Sequence, residues 1–224
     1  MVKLFKNQLY HIIFLLVSLW AIAFICDIYP SYLVGEMWGI STKYWLYLAL
    51  GSPILHQIYV LVCWRLELHY KTISRTFGDN GFVYYKVGFA VLILSRPISL
   101  LLLAISNSNT LTLNPYLSYL ISLLLLIPAI YLFYSVKKYF GMDRAFGIDH
   151  FEPEKAKTFP MVSKGILKYT SNGMYVFGFL ILWVPGFLFL SKTALLIALF
   201  NHVYIWIHYY YTEKPDMDFI YGLK

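Results

Sequence analysis

The sequence contains little charge and little cysteine. Only 13% of its 224 residues are charged, whereas 60% are hydrophobic, and a soluble domain usually carries about 25% charged residues. The 2 cysteines, Cys26 and Cys63, fall near the ends of different apolar segments, so we expect neither a disulfide nor a metal site from them. The shortage of charge excludes an ordinary soluble domain and favours a membrane protein.

Motifs of covalent and nucleotide chemistry are missing as well. The sequence has no Gly-x-x-x-x-Gly-Lys phosphate loop, no Gly-x-Gly-x-x-Gly turn, no His-Glu-x-x-His zinc motif and no serine nucleophile elbow. Its 6 histidines are too few and too scattered for the histidine boxes of a membrane di-iron oxygenase. These absences argue against covalent and metal catalysis, and we expect no metal cofactor.

Apolar residues are gathered into six segments, each close to the roughly 20 residues that a helix needs to cross a hydrocarbon core. The segments are 8–26, 44–64, 82–106, 115–136, 174–190 and 193–211. Helices are expected because backbone groups in lipid must satisfy one another locally. The sequence therefore predicts an all-α, polytopic integral membrane protein with one membrane domain. Residues 1–136 would supply four helices, and residues 137–224 a loop, a helical hairpin and a tail.

Basic residues in the predicted loops indicate the orientation of the chain. They are abundant before the first segment, after the second, after the fourth and in the tail, and scarce in the other connections. The positive-inside rule then places both termini and the loop 137–172 in the cytoplasm. The net charge of +7 is mostly this topological signal, with no need for a nucleic-acid partner. Short tails and connections favour a bacterial inner membrane, with the endoplasmic reticulum as the alternative.

Two polar segments flank the last predicted hairpin, and both face the cytoplasm in this topology. Segment 165–178 places glycines around tyrosines at the start of an apolar run, and segment 213–222 begins with an acid and ends with an aromatic residue and glycine. Together with the upstream residues from Tyr139 to Met142, these segments resemble membrane methyltransferases that use S-adenosylmethionine. That superfamily includes phosphatidylethanolamine N-methyltransferase and isoprenylcysteine carboxyl methyltransferase. The resemblance covers about residues 139–222, over a third of the chain.

The sequence departs from the family pattern at three positions. Gly173 stands where the family has proline, and Asn172 stands where one branch has histidine. The family's pair of glutamates is reduced to Glu213, because the next residue is Lys214. We therefore expect Lys214 either to meet a lipid phosphate or to point away from the pocket.

The resemblance implies an enzyme that moves a methyl group from S-adenosylmethionine to a lipid or lipophilic acceptor, with a phospholipid amine favoured. Its site would lie on the cytosolic side of the hairpin. A carboxylate can hold the cofactor's ammonium, amides at a helix start can hold its carboxylate, and aromatic faces can contact its sulfonium and adenine. The residues expected to bind the cofactor are Gly165, Tyr169, Asn172, Gly173, Met174, Tyr175, Gly178, Tyr209 and Glu213.

An amine acceptor must be neutral to attack, so a base would help the reaction. The candidates for this catalytic role are Asp149, His150 and Glu213. The candidates for both roles, cofactor binding and catalysis, also have purely structural explanations. Glycines before a helix are common turn residues, tyrosines at membrane ends form interfacial belts, and the acids and histidine would be solvated surface groups.

Arg96 is unusual because it lies within the third apolar segment, roughly 20 Å from its inner end, where a charge is costly. No acidic residue falls inside any segment. His56 with Gln57, and Asn201 with His202, lie at similar depth. We expect a buried polar layer in which Arg96 faces the bundle, with Arg96, His56 and His202 lining the acceptor's path. The alternatives are simple helix-to-helix hydrogen bonding and snorkelling of Arg96 to the outer interface.

Two other functions stay open at this stage. An NADPH-dependent membrane reductase of the steroid-reductase kind has a similar C-terminal pattern, and four lysines could hold the dinucleotide phosphates: Lys155, Lys157, Lys164 and Lys168. A small transporter or scaffold would predict inverted repeats, which the sequence does not show. Neither the accepting atom (N, O or S) nor the oligomeric state follows from the sequence.

Overall fold

The structure is a computed structural model that describes residues 4–222. The α-helices in this range are α1 (Gln8–Ile28), α2 (Thr42–Tyr70), α3 (Thr72–Phe77), α4 (Gly81–Ser106), α5 (Pro115–Ser135), α6 (Met142–Ala145), α7 (Pro153–Ala156), α8 (Gly173–Val176), α9 (Val184–Leu188), α10 (Lys192–His208) and α11 (Lys214–Tyr221). Short 3-10 helices cover Pro30–Tyr32, Gly78–Asn80, Ile148–His150, Gly165–Lys168 and Gly178–Leu182, and π-helices cover Val136–Phe140 and Tyr209–Glu213. An antiparallel hairpin pairs β1 (Glu36–Met37) with β2 (Ile40–Ser41).

Four stretches within residues 4–222 are long and apolar enough to cross a membrane: α1, α2, α3 with α4, and α5 with the π-helix that follows it. They coincide with the first four segments predicted from the sequence. Large apolar side chains on these helices point outward; Leu16 and Trp20 of α1, for example, are 59% and 65% exposed. Such a surface is expected where the solvent is lipid. The all-α membrane fold is therefore confirmed, whereas the count of six spans stays a prediction.

The fifth predicted segment is not one continuous helix. It consists of α8, the 3-10 helix Gly178–Leu182 and α9. Gly173 and Gly178 lower the helical propensity of the segment. Pro185 and Gly186 follow near its end, where a proline cannot donate a backbone hydrogen bond. The segment is thus a chain of short helices whose irregular backbone is packed against α5 and α10.

Helix α10 lies in the middle of the bundle, where it contacts α1, α2, α4 and α9. Its buried residues Ala194, Ile197 and Ala198 are each at most 1% exposed. Small side chains on this face let neighbouring helices approach closely, which is how helices associate in membranes. This central position places the end of α10 and the π-helix after it next to the broken fifth segment.

Arg65, near the end of α2, makes hydrogen bonds to both the N-terminal and the C-terminal parts of the chain. Its Nε donates to Asp216 on α11 at 3.2 Å, and its Nη1 donates to the carbonyl oxygens of Leu4 and Lys6. Its Nη2 donates to the carbonyl oxygen of Tyr211 at 3.2 Å. Arg65 is 1% exposed, so the charge is matched by one carboxylate and three carbonyl groups. This hub fixes α11 and the π-helix before it against α2.

Candidate functional site

A cavity of about 350 Å³ lies inside the bundle, walled by α2, α4, α5, the broken fifth segment, α10 and the π-helix Tyr209–Glu213. Most of its wall is apolar. The polar side chains of the wall are His56, Gln57, Trp64, Arg96, Tyr175, His208 and Glu213. We call the part around Tyr175 and Glu213 the Glu213 end, and the part around His56, Gln57 and Arg96 the Arg96 end.

The cavity is bordered by helices α4 and α5, which hardly touch each other. Leu94 of α4 and Phe133 of α5 line the cavity and are also 59% and 54% exposed. These exposed apolar side chains belong to helices that cross the membrane. The gap between α4 and α5 therefore leads sideways from the cavity to the lipid.

The Glu213 end is built around one hydrogen bond, which the Tyr175 hydroxyl donates to Glu213 Oε2. Glu213 is the last residue of a π-helix, and π-helical turns are rare and frequent at functional sites. Burial, together with the charges of Asp149 and Asp216, raises the pKa of Glu213 to about 7, although the hydrogen bond from Tyr175 acts in the opposite direction. The Glu213 carboxyl is therefore partly ionised near neutral pH and lies ready to bind a cation.

S-adenosylmethionine, which the sequence resemblance implies, fits the Glu213 end in its charge. Glu213 can accept hydrogen bonds from its ammonium, and the apolar wall beside it includes Met174 and Gly178. A Cβ added to Gly178 would lie 2.8 Å from Leu132 Cδ2, so the glycine permits close packing there. The amides of Asn172 and Tyr175 are already taken by Thr170 Oγ1 and by the Asn172 carbonyl oxygen. They do not remain free for a carboxylate.

Other residues expected to bind the cofactor support the site from behind. A Cβ on Gly165 would lie 2.5 Å from Ser135 Oγ, and one on Gly173 would lie 2.9 Å from Leu167 Cδ2, so both glycines serve packing around α5. The Tyr209 ring lies 5.6 Å from that of Tyr175 and holds it from the side. None of the three lines the cavity.

Tyr169 and Asn172 are not brought to the cavity either. Tyr169 is 69% exposed and has the Lys168 ammonium 4.7 Å from its ring centroid. Asn172 stands before α8 without making a side-chain cap. Tyr169 is thus a surface residue and Asn172 precedes a short helix, and neither lines the cavity.

Asp149 and His150 form a separate buried cluster beside the cavity. Asp149 accepts a hydrogen bond from the Tyr221 hydroxyl at 2.8 Å. His150 stacks on Trp64 with 4.0 Å between ring centroids, and its Nε2 lies 3.7 Å from an oxygen of Asp216. Neither residue lines the cavity, so the structure does not place them beside a bound acceptor. Their link to the site is indirect, through the Trp64 ring.

Lys214, which replaces the family's second acid, lies outside the cavity. Its ammonium is 2.9 Å from Asp218 Oδ2 on the exposed face of α11. The expectation that this cation points away from the pocket is therefore confirmed. The lysines required by the reductase alternative are also on the surface: Lys155 pairs with Glu152 and Lys157 with Glu154, each at 2.7 Å.

The Arg96 end is the polar layer expected from the sequence. Arg96 is 2% exposed; its Nε donates to Asn201 Oδ1 at 2.9 Å, and its Nη1 lies 3.3 Å from His56 Nδ1. Arg96 therefore faces the bundle and does not snorkel. His202 lies to one side, where its Nδ1 accepts a hydrogen bond from Trp183 Nε1 at 3.2 Å, and it does not line the cavity.

His208 is a wall residue that the sequence reasoning missed. It is 2% exposed, and neither ring nitrogen has a hydrogen-bond partner among the described residues. The signal that would have found it is helical spacing. Asn201, Ile205 and His208 follow one another at intervals of four and three residues on α10, and such residues share a helix face.

Comparison with known protein families gives a match in the C-terminal part of the chain. Residues 117–224 match the phospholipid methyltransferase family. That range contains α5 from its third residue onward, the broken fifth segment, α10 and the Glu213 end, and leaves α1 to α4 outside. No curated protein and no solved structure matches the chain.

Proposed function

We propose that this chain, which carries a phospholipid methyltransferase family match over residues 117–224, transfers a methyl group from S-adenosylmethionine to a lipid or lipophilic acceptor, with a phospholipid amine favoured. The observation that carries the proposal is the Tyr175–Glu213 pair in the wall of a cavity that leads sideways to the lipid. A cytosolic cofactor and a membrane acceptor need such a site, because they arrive from different phases.

S-adenosylmethionine supplies a methyl group that its sulfonium has already activated, so the protein mainly has to position the two reactants in line. Glu213 would hold the cofactor's ammonium, and the Tyr175 hydroxyl would keep the carboxylate in place. The apolar wall would exclude water from the reacting atoms. These roles require no covalent intermediate and no metal.

The acceptor nitrogen would form its bond to the methyl carbon while the carbon–sulfur bond breaks, and the methylated amine would then release a proton. His208 is the group placed to take it, because it lines the cavity with both ring nitrogens free of partners in the described part of the chain. Glu213 would be occupied by the cofactor's ammonium. Asp149 and His150 lie behind Trp64, outside the cavity wall, and would not contact the acceptor.

The test is transfer of label from methyl-labelled S-adenosylmethionine to vesicles of mixed membrane lipid rich in phosphatidylethanolamine. We expect label in the lipid fraction for the wild type and a strong loss for Glu213→Gln, which keeps the shape of the side chain and removes its charge. One lost charge-assisted bond should weaken cofactor binding by about 10- to 150-fold. Lys214→Gln is the matched control and should retain activity. A folded Glu213→Gln protein with wild-type affinity for the cofactor would refute the role of this carboxylate.

A further inference from the structure

The Arg96 end contains a buried charge with no opposite charge beside it. Within residues 4–222, the basic side chains that lie within 4.0 Å of a carboxylate oxygen are those of Arg65, Lys71, Lys86, His150, Lys155, Lys157 and Lys214. Arg96 instead has an amide oxygen, an imidazole and the Phe179 ring, whose centroid is 4.8 Å from its Cζ. A cation inside a membrane bundle usually has a partner and marks a functional site.

Three polar nitrogens at this end have no hydrogen-bond partner among the described residues. They are Arg96 Nη2, His56 Nε2 and Gln57 Nε2. All three side chains line the cavity, and each is at most 3% exposed. A buried donor without a partner is costly. Arg96 Nη2 and Gln57 Nε2 carry hydrogens to donate, and so does His56 Nε2 when its Nδ1 accepts from Arg96. The Arg96 end therefore offers unpartnered donors to an anion.

We propose that the Arg96 end binds the acidic group of the lipophilic acceptor, whose apolar body occupies the cavity and whose methyl-accepting group reaches the Glu213 end. The anion is a carboxylate or a phosphate, since a guanidinium recognises both. This proposal rests on the proposed function, because it identifies the bound anion as part of the methyl acceptor.

The Phe179 ring lies between the two ends. Its centroid is 4.8 Å from Arg96 Cζ and 6.4 Å from the centroid of the Tyr175 ring. One elongated acceptor can therefore contact both ends at once, with its acidic group at Arg96 and its methyl-accepting group beside Tyr175.

The two ends come from different parts of the chain. His56, Gln57 and Arg96 lie on α2 and α4, outside the residues that match the family, whereas Tyr175 and Glu213 lie inside them. The family match covers the Glu213 end, whereas α2 and α4 supply the side chains of the Arg96 end. Selection among acceptors is thus assigned to α2 and α4.

The test is binding of three twelve-carbon probes to the purified protein in bilayer discs of neutral lipid, with no cofactor present: dodecanoate, dodecyl phosphate and dodecanol. For the wild type, at least one acid should bind about tenfold or more tighter than the alcohol, as expected for a hydrogen bond to a charged group. The preferred acid identifies the end group as carboxylate or phosphate. Equal binding of acids and alcohol would overturn the proposal.

Arg96→Gln should abolish the preference for the acids, and Arg96→Lys should keep part of it. Arg75→Gln removes the same charge from the exposed surface of α3 and should retain the full preference. An acid preference that persists in Arg96→Gln would contradict the assignment. If Arg96→Gln does not fold, the proposal is decided by two other measurements. These are the binding of acids and alcohol to the wild type and the acid preference of Arg96→Lys. Because the binding test measures no methyl transfer, a negative result would leave the proposed function standing. A failed methyl-transfer test would likewise leave the anion site at the Arg96 end standing.

Discussion

At the scale of single residues, the ionisation of Glu213 controls the charge of the Glu213 end. Its pKa of about 7 is raised above the ordinary carboxyl value by burial, so the group is mostly protonated at pH 6 and mostly ionised at pH 8. Only the ionised form attracts the cofactor's ammonium. We expect the affinity for S-adenosylmethionine to rise about tenfold from pH 6 to pH 8, measured by calorimetry.

The control for this pH profile is Glu213→Gln, whose affinity should be low and nearly independent of pH in the same range. A wild-type affinity that stays flat between pH 6 and pH 8 would show that the carboxylate does not contact the ammonium. The opposite slope would place a cationic protein group at the binding site instead.

Substitution of Gly165 tests the packing between this residue and Ser135, behind the Glu213 end. Its φ is +60°, and a Cβ would lie 2.5 Å from Ser135 Oγ, so Gly165→Ala meets both backbone strain and a clash. We expect it to destabilise the fold by roughly 1–3 kcal/mol, measured by thermal unfolding in detergent. Gly39→Ala is the control, since Gly39 has φ +73° and open space around it. Equal losses for the two variants would mean that the contact with Ser135 is unimportant.

Three residues that the structure places in the cavity wall were expected from the sequence, Glu213 and Tyr175 from the family resemblance and Arg96 from its charge. Glu213 and Tyr175 belong to the motif, and Arg96 is a charge in an apolar segment that must face inward. Tyr169 was harder to place, because sequence proximity to a motif does not show on which side of a short turn a ring lies. His208 was missed because it lies in an apolar helix, although its helical spacing from Asn201 would have placed the two side chains on one face of α10.

At the scale of elements, α11 is held by a buried ion pair whose strength can be measured. Arg65 and Asp216 have side chains only 1% and 6% exposed, and removing one partner of such a pair typically costs about 3–5 kcal/mol. We expect Asp216→Asn to lower stability by this amount and to loosen the π-helix that carries Glu213. Asp218→Asn breaks the exposed pair with Lys214 and should cost less than about 1 kcal/mol. Similar losses in the two variants would contradict the role of Arg65 as a hub.

The orientation of the elements in the membrane is tested by labelling. Cysteines introduced at Asn109 and at Lys157, in a chain without its native cysteines, should react from opposite sides of sealed vesicles. The reason is the alternation of basic and neutral loops. Labelling of both from the same side would contradict the predicted topology and the cytosolic position of the site.

The elements themselves were predicted unevenly. Long apolar runs specify α1, α2, α4 and α5, because a helix is the form that satisfies the backbone in lipid. Hydrophobicity could not reveal that the fifth segment is divided into α8, a 3-10 helix and α9, since all three are apolar. The π-helix ending at Glu213 has no composition signal at all, because it results from packing at the end of α10.

At the scale of the whole molecule, the chain combines a part that resembles known methyltransferases with helices that do not. The match covers residues 117–224, and the cavity is completed by α2 and α4 from outside it. One cavity thus has a carboxyl at one end and a guanidinium at the other. In the proposed function the carboxyl would hold the cofactor's ammonium, and the guanidinium would hold the acidic group of the acceptor.

The central claim, that the Glu213 end binds S-adenosylmethionine, is tested most directly by differential binding of S-adenosylhomocysteine and NADPH to the purified protein. Both contain adenosine, but only S-adenosylhomocysteine carries the ammonium that Glu213 would hold. Calorimetry should show binding of S-adenosylhomocysteine that Glu213→Gln weakens, and no saturable binding of NADPH. Saturable binding of NADPH without binding of S-adenosylhomocysteine would contradict the account and favour the reductase.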